Sequence, residues 1–125
     1  DIILDGDRFA LIKEVAEREG PNSPAGICIA NHEAWFRAIS NGGAIKKMDP
    51  QKQSSILYDL VAIYLGFAEH WLEMEELTIE VTPDGKTLEG DQGNTIRCAM
   101  NWKDRPAFLD LVTSRLTESS ASISE

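Results

Sequence analysis

Cys28, His32, His70 and Cys98 are the sequence's whole stock of strong zinc ligands, and a structural zinc site uses four. Such ligands normally arrive in short pairs, but only Cys28 and His32 lie close together, and no CxxC or HxxxH pair occurs. A shared site would need three separate elements to converge, so no metal is expected, and nothing implies another cofactor. A thiol nucleophile is the next chemistry, with Cys28 attacking and His32 or His70 as base. It needs a thiolate, and therefore exposure and a positive neighbour. Ile27 and Ile29 set Cys28 in an apolar run instead, which fits an inert buried thiol.

His70 and Glu73, three residues apart, would be neighbours on a helix and could share a proton near neutrality. General acid–base work also needs a group to orient the imidazole, and Asp59 is eleven residues away, too far along a helix. A solvated surface pair is the simpler reading. Gly42-Gly43 and residues 90–94 lack the strand–glycine–helix context of a phosphate cradle, and no GxSxG elbow is present.

The carboxylates carry a broader signal. The 125 residues include 21 acids and 12 bases, for a formal net charge of −9. Residues 69–91 hold eight acids (Glu69, Glu73, Glu75, Glu76, Glu80, Asp84, Glu89, Asp91) against Lys86 alone, a net −7 that leaves −2 elsewhere. Clustered Lys and Arg grip nucleic-acid phosphates and anionic lipid, so this balance argues against both as partners. It attracts a basic protein surface and speeds encounter with it. Two isolated cysteines fit a reducing, cytoplasmic setting, no apolar run approaches the roughly 18 residues of a bilayer span, and no basic-then-apolar signal opens the chain.

The elements that must position these groups follow from periodicity. A first helix starts at Asp5 or Asp7, buries Phe9, Ile12, Val15 and Ala16, and ends at Gly20. Residues 25–30 read as a buried strand or an extended lead-in, and Asn31 as the cap of a short helix that Asn41-Gly42-Gly43 ends. Asp49-Pro50 predicts the start of a core helix running to about Glu76, about 40 Å long, with a break near Gly66. Alternation then gives a strand at 77–82, a turn at 83–86, a strand at 87–89, and a third strand whose Ile96, Cys98, Met100 and Trp102 share a face. Asp104 and Pro106 open a last helix with Phe108, Leu109, Val112 and Leu116 as its buried stripe.

The expected fold is α+β: three to four helices packed on one face of a three-stranded antiparallel meander, in a single domain of residues 1–117 with a disordered tail at 118–125. The expected function is non-enzymatic protein binding, of inhibitor, immunity-protein, nucleic-acid-mimic or chaperone type. The acidic segment would meet a basic partner through Glu69, Glu73, Glu75, Glu76, Glu80 and Asp84, with Glu73, Glu76 and Glu80 gathered at one edge. The rival is a small enzyme or ligand-binding domain with a pocket between sheet and central helix, using His70, Glu73 and Trp71 or Trp102. A third reading is a homodimer formed through the broad apolar helix.

Overall fold

A computed structural model describes residues 2–40 and 48–118. Four helices and a three-stranded antiparallel sheet make an α+β fold among these residues. The chain divides into two compact units, Asp1–Ala62 with Pro106–Glu125, and Ile63–Arg105.

In the first unit, α1 (Gly6–Glu19) follows Asp5 and stops at Gly20, whose N–H donates to the Ala16 carbonyl at 3.0 Å. Its buried Phe9, Ile12 and Val15 recur at three-residue steps, as the periodicity predicts. The second helix, α2 (Pro24–Ser40), corrects the expectation for residues 25–30, which are helical, and for Asn31, which lies inside the helix. The reason is a start signal four residues upstream of Ile27. Ser23 Oγ accepts the Gly26 N–H at 3.0 Å, and Pro24 takes the first helical position, where its missing N–H costs nothing. Gly26 lets this first turn close on the end of α1, since a Cβ there would sit 2.2 Å from the Gly20 carbonyl oxygen. The expected stop at Asn41-Gly42-Gly43 lies outside the described residues.

The helix predicted from Asp49 to Glu76 is replaced by four different structures. Asp49 and Pro50 start a single turn, with the Gln51 N–H bonded to Asp49 Oδ1 at 3.0 Å and the Lys52 and Gln53 N–H groups to its carbonyl. Residues 53–57 then run extended beside residues 2–5: Ser54 N–H donates to Leu4 O at 2.8 Å, Leu57 N–H to Ile2 O at 2.8 Å, and Leu4 N–H to Ser54 Oγ at 2.9 Å. Serine side chains that bond nearby backbone compete with helix, and here the backbone of residues 2–5 supplies the better partners. Helix α3 (Tyr58–Leu65) is eight residues long and stops before Gly66, where the break was expected. Beyond it, strand β1 takes up residues assigned to the helix. Helix α4 (Arg105–Thr117) buries Phe108, Leu109, Val112 and Thr113; Leu116 is half-buried. Residues 119–125 of the expected tail lie outside the described residues.

The second unit holds the sheet: β1 (Leu72–Val81), β2 (Thr87–Glu89) and β3 (Asn94–Trp102), in the order β2-β1-β3. This corrects the meander, which would place β2 in the middle. A three-residue strand offers too few ladder bonds to hold a centre, whereas β1 pairs with β3 from Leu72↔Trp102 to Ile79↔Asn94. Gly93, at φ 134°, permits the crossing, because a Cβ there would lie 2.1 Å from the Ile79 carbonyl oxygen.

The register also corrects the face of β3. Glu73 opposes Asn101 but Met74 opposes Ala99, so Met100 is the extra residue of a β-bulge. The bulge moves Trp102 to the face of Leu72 and Met74, while Cys98 and Ile96 oppose Glu75 and Leu77 on the other.

Candidate functional site

All six residues proposed to bind a partner lie in the second unit. The strand alternation distributes them. Glu73 and Glu75 share a face with Leu77 and Ile79, whereas Glu76 and Glu80 project from the opposite face. The expectation that Glu73, Glu76 and Glu80 gather at one edge is therefore corrected: a strand cannot place residues of opposite parity on one side. Glu69 precedes β1 and is held by Arg97, whose Nη1 lies 2.7 and 2.8 Å from its two carboxylate oxygens. Asp84 sits in the hairpin turn, 3.1 Å from Lys86 Nζ. Hydrogen bonds from the Thr82 hydroxyl and then from Lys86 hold its carboxyl below the usual range.

Glu73, Glu75, Glu76, Glu80, Glu89 and Asp91 are exposed and make no ion pair among the described residues. The unit carries nine acids against Lys86, Arg97, Lys103 and Arg105, a net −5. Adding Arg97, Lys103 and Arg105, together with Asp104, thus brings the sequence segment's −7 to −5.

One edge of β1 is incompletely covered. β2 pairs only with Ile79, Glu80 and Val81, and the Gly90 N–H reaches the Thr78 carbonyl at 3.1 Å. No strand among the described residues pairs with the same side of β1 from Leu72 to Leu77. Because alternate residues direct N–H and C=O to opposite edges, Met74 and Glu76 share the edge to which Thr78 directs its carbonyl. Glu73 and Glu75 flank this edge on one face of the sheet and Glu76 on the other.

The His70–Glu73 pair does not form. His70 lies in the turn before β1 and Glu73 in the strand, so the helical spacing that would have joined them is absent. His70 Nδ1 instead lies 3.3 Å from the Tyr64 hydroxyl, and its ring centroid is 4.5 Å from that of Trp71, which stacks on Tyr64 at 5.4 Å. His70 lines an open cavity of about 490 Å³ with Phe67, Glu69, Leu72, Arg97 and Lys103; Glu73, Trp71 and Trp102 are not in its wall. The carboxylate present there, Glu69, is committed to Arg97.

In the first unit, a histidine set aside on sequence grounds occupies a distinctive place. His32 is 7% exposed and sits one turn after Cys28 on α2. Its Nε2 lies 2.9 Å from the Pro50 carbonyl oxygen, which can only accept, so Nε2 carries the proton. In the neutral ring Nδ1 is then an acceptor, and it is buried without a hydrogen-bond partner among the described residues. The ring contacts Phe9 edge-on at 5.6 Å. Both side chains line a cavity of about 320 Å³ with Leu4, Ile12, Cys28 and Trp35 among its other walls. Burial pushes the Cys28 thiol above its ordinary range, which disfavours the thiolate that a nucleophile needs. The only sequence signal for this arrangement was the four-residue Cys28–His32 spacing, and it became informative only when residues 25–30 proved helical.

Cys28 and Cys98 are free thiols. Among the described residues, no three or more His, Cys, Asp or Glu side chains are placed to hold a metal ion, and no helix is long and apolar enough to cross a membrane. No protein family, curated protein or solved structure matches the chain.

Proposed function

We propose that the protein is a non-enzymatic binding domain that captures an extended, basic segment of a protein partner along the open edge of β1. Such a domain acts as an inhibitor, immunity protein, nucleic-acid mimic or chaperone. The observation that carries the reading is the conjunction of an incompletely paired strand edge with Glu73 and Glu75 on one face and Glu76 and Glu80 on the other. An added strand sends its own side chains alternately to both faces, so lysines or arginines on either side of it meet carboxylates. A field divided between two faces suits this mode better than it suits a flat basic patch.

The same charges disfavour a second copy of the chain at this edge. Two β1 edges brought together would set glutamates against glutamates, the arrangement by which natural edge strands resist self-association. Nucleic acid and membrane surfaces are disfavoured by sign, and a cytoplasmic setting suits the two free thiols.

The test is titration of the ¹⁵N-labelled full chain with a peptide of alternating lysine and valine at physiological salt. Strand addition slows hydrogen exchange at the Met74 and Glu76 amides, and the combined Glu73→Lys, Glu75→Lys and Glu76→Lys variant weakens binding at least about tenfold, equivalent to about 1.4 kcal/mol. Unchanged exchange at both amides, or equal affinity of the variant, sinks the proposal.

A further inference from the structure

We propose that the cavity walled by Leu4, Phe9, Ile12, Cys28, His32 and Trp35 is a binding site for a small, largely apolar molecule bearing one hydrogen-bond donor, such as an alcohol or a phenol. This site lies wholly within the first unit and is independent of the acidic sheet.

Three observations converge. The cavity, at about 320 Å³, is at the lower end of the size of small-molecule sites, and aliphatic and aromatic side chains dominate its wall. Its buried polar groups are nearly all committed. Ser54 Oγ accepts the Leu4 N–H at 2.9 Å and donates to the Ser55 carbonyl at 2.7 Å, and His32 Nε2 donates to Pro50. The exception is His32 Nδ1, in the neutral ring an acceptor, which is buried with no donor among the described residues. A buried acceptor left unpaired carries an uncompensated desolvation cost, and a ligand donor that reaches it by a small shift of the ring or its neighbours recovers part of that cost.

The chemistry selects the ligand class. A carboxylate brings only acceptors to the neutral Nδ1 and must shed part of its water against a largely apolar wall, so it is disfavoured. A hydrocarbon fits the walls but leaves Nδ1 unpaired. An apolar group with a single hydroxyl meets both demands. Trp35, 41% exposed on α2, also lines the cavity and provides an optical reporter. Burial disfavours the Cys28 thiolate, so the thiol in the cavity wall is not an activated nucleophile.

The experiment compares three probes of similar size on the full chain: benzyl alcohol, its methyl ether and benzoate. Binding is followed by Trp35 fluorescence, by amide shifts of Cys28, His32 and Trp35, and by the ¹⁵N resonance of His32 Nδ1, which moves when that nitrogen accepts a hydrogen bond. Benzyl alcohol is expected to shift all of these and to bind about two- to tenfold more tightly than the ether, the range set by one net hydrogen bond, while benzoate shifts none. The variant His32→Phe keeps a ring of similar shape and is expected to bind alcohol and ether alike. Should that variant fail to fold, the Nδ1 resonance of the native chain decides alone. Equal affinity of the native chain for alcohol and ether, an unmoved Nδ1 resonance at saturation, or no binding by any probe overturns the proposal. None of these outcomes bears on capture of a basic peptide by β1, so the two readings fail separately.

Discussion

At the scale of single residues, backbone contact and burial decide more than side-chain identity. Gly26 has its Cβ position occupied by the Gly20 carbonyl, and backbone cannot swing aside as a flexible side chain can. Gly26→Ala is therefore expected to destabilise the fold by about 1–3 kcal/mol, the usual cost of overpacking, read as a lower urea midpoint with an unchanged slope. Ser23→Ala removes the acceptor for the Gly26 N–H and should cost about 1 kcal/mol in the same assay. Cys28 makes a pH-dependent prediction. Its folded thiol is raised by burial, so on alkalinisation the unfolded chain releases the proton first, from about pH 8.5. The stability contributed by keeping this thiol protonated is present below that pH and is lost as pH rises above it. Iodoacetamide should accordingly modify Cys28 slowly at pH 8 and faster as pH climbs, and rapid labelling at pH 7 would contradict the burial.

At the scale of elements, β1 is where local preference and tertiary pairing part company. Its residues 72–76, Leu-Glu-Met-Glu-Glu, are good helix formers, yet they lie in the ladder with β3. Propensity differences are fractions of a kcal/mol per residue, and an aligned eight-residue pairing outweighs them. The edge geometry gives a paired prediction. At Glu76 a proline removes an N–H directed at the open edge, whereas at Glu75 it removes one directed at β3. Glu76→Pro should leave the urea midpoint close to that of the native chain while abolishing exchange protection by the lysine–valine peptide. Glu75→Pro should lower stability by about 1–3 kcal/mol. If both variants unfold equally, the assignment of the two edges is wrong.

At the scale of the molecule, the net charge of −9 and the isoelectric point near 4.6 set solubility and encounter rates rather than fold. Turbidity scanned against pH should peak near the isoelectric point, where self-repulsion vanishes. Peptide capture should weaken as salt rises from low to physiological concentration, mainly through a slower association rate, since exposed charges are screened beyond about 10 Å at 0.1 M. A salt-independent association rate would show that the carboxylates are bystanders.

The sequence alone determined what depends on neighbours within a few residues: the periodic stripe and glycine end of α1, the break at Gly66, the hairpin turn around Asp84, the strands at residues 87–89 and 96–102, and the α+β class. It also showed where the acids are concentrated, because that is a matter of counting. Tertiary structure alone decided that residues 53–57 lie beside residues 2–5, that β1 reaches back to Leu72, that β1 and not β2 is central, and that Met100 bulges and turns Trp102 to the other face. It likewise separated His70 from Glu73, divided the acids between two faces, and left His32 Nδ1 without a donor among the described residues. Each of these rests on hydrogen bonds between residues distant in the chain, and a pattern of residue types cannot say which distant backbone will complete them.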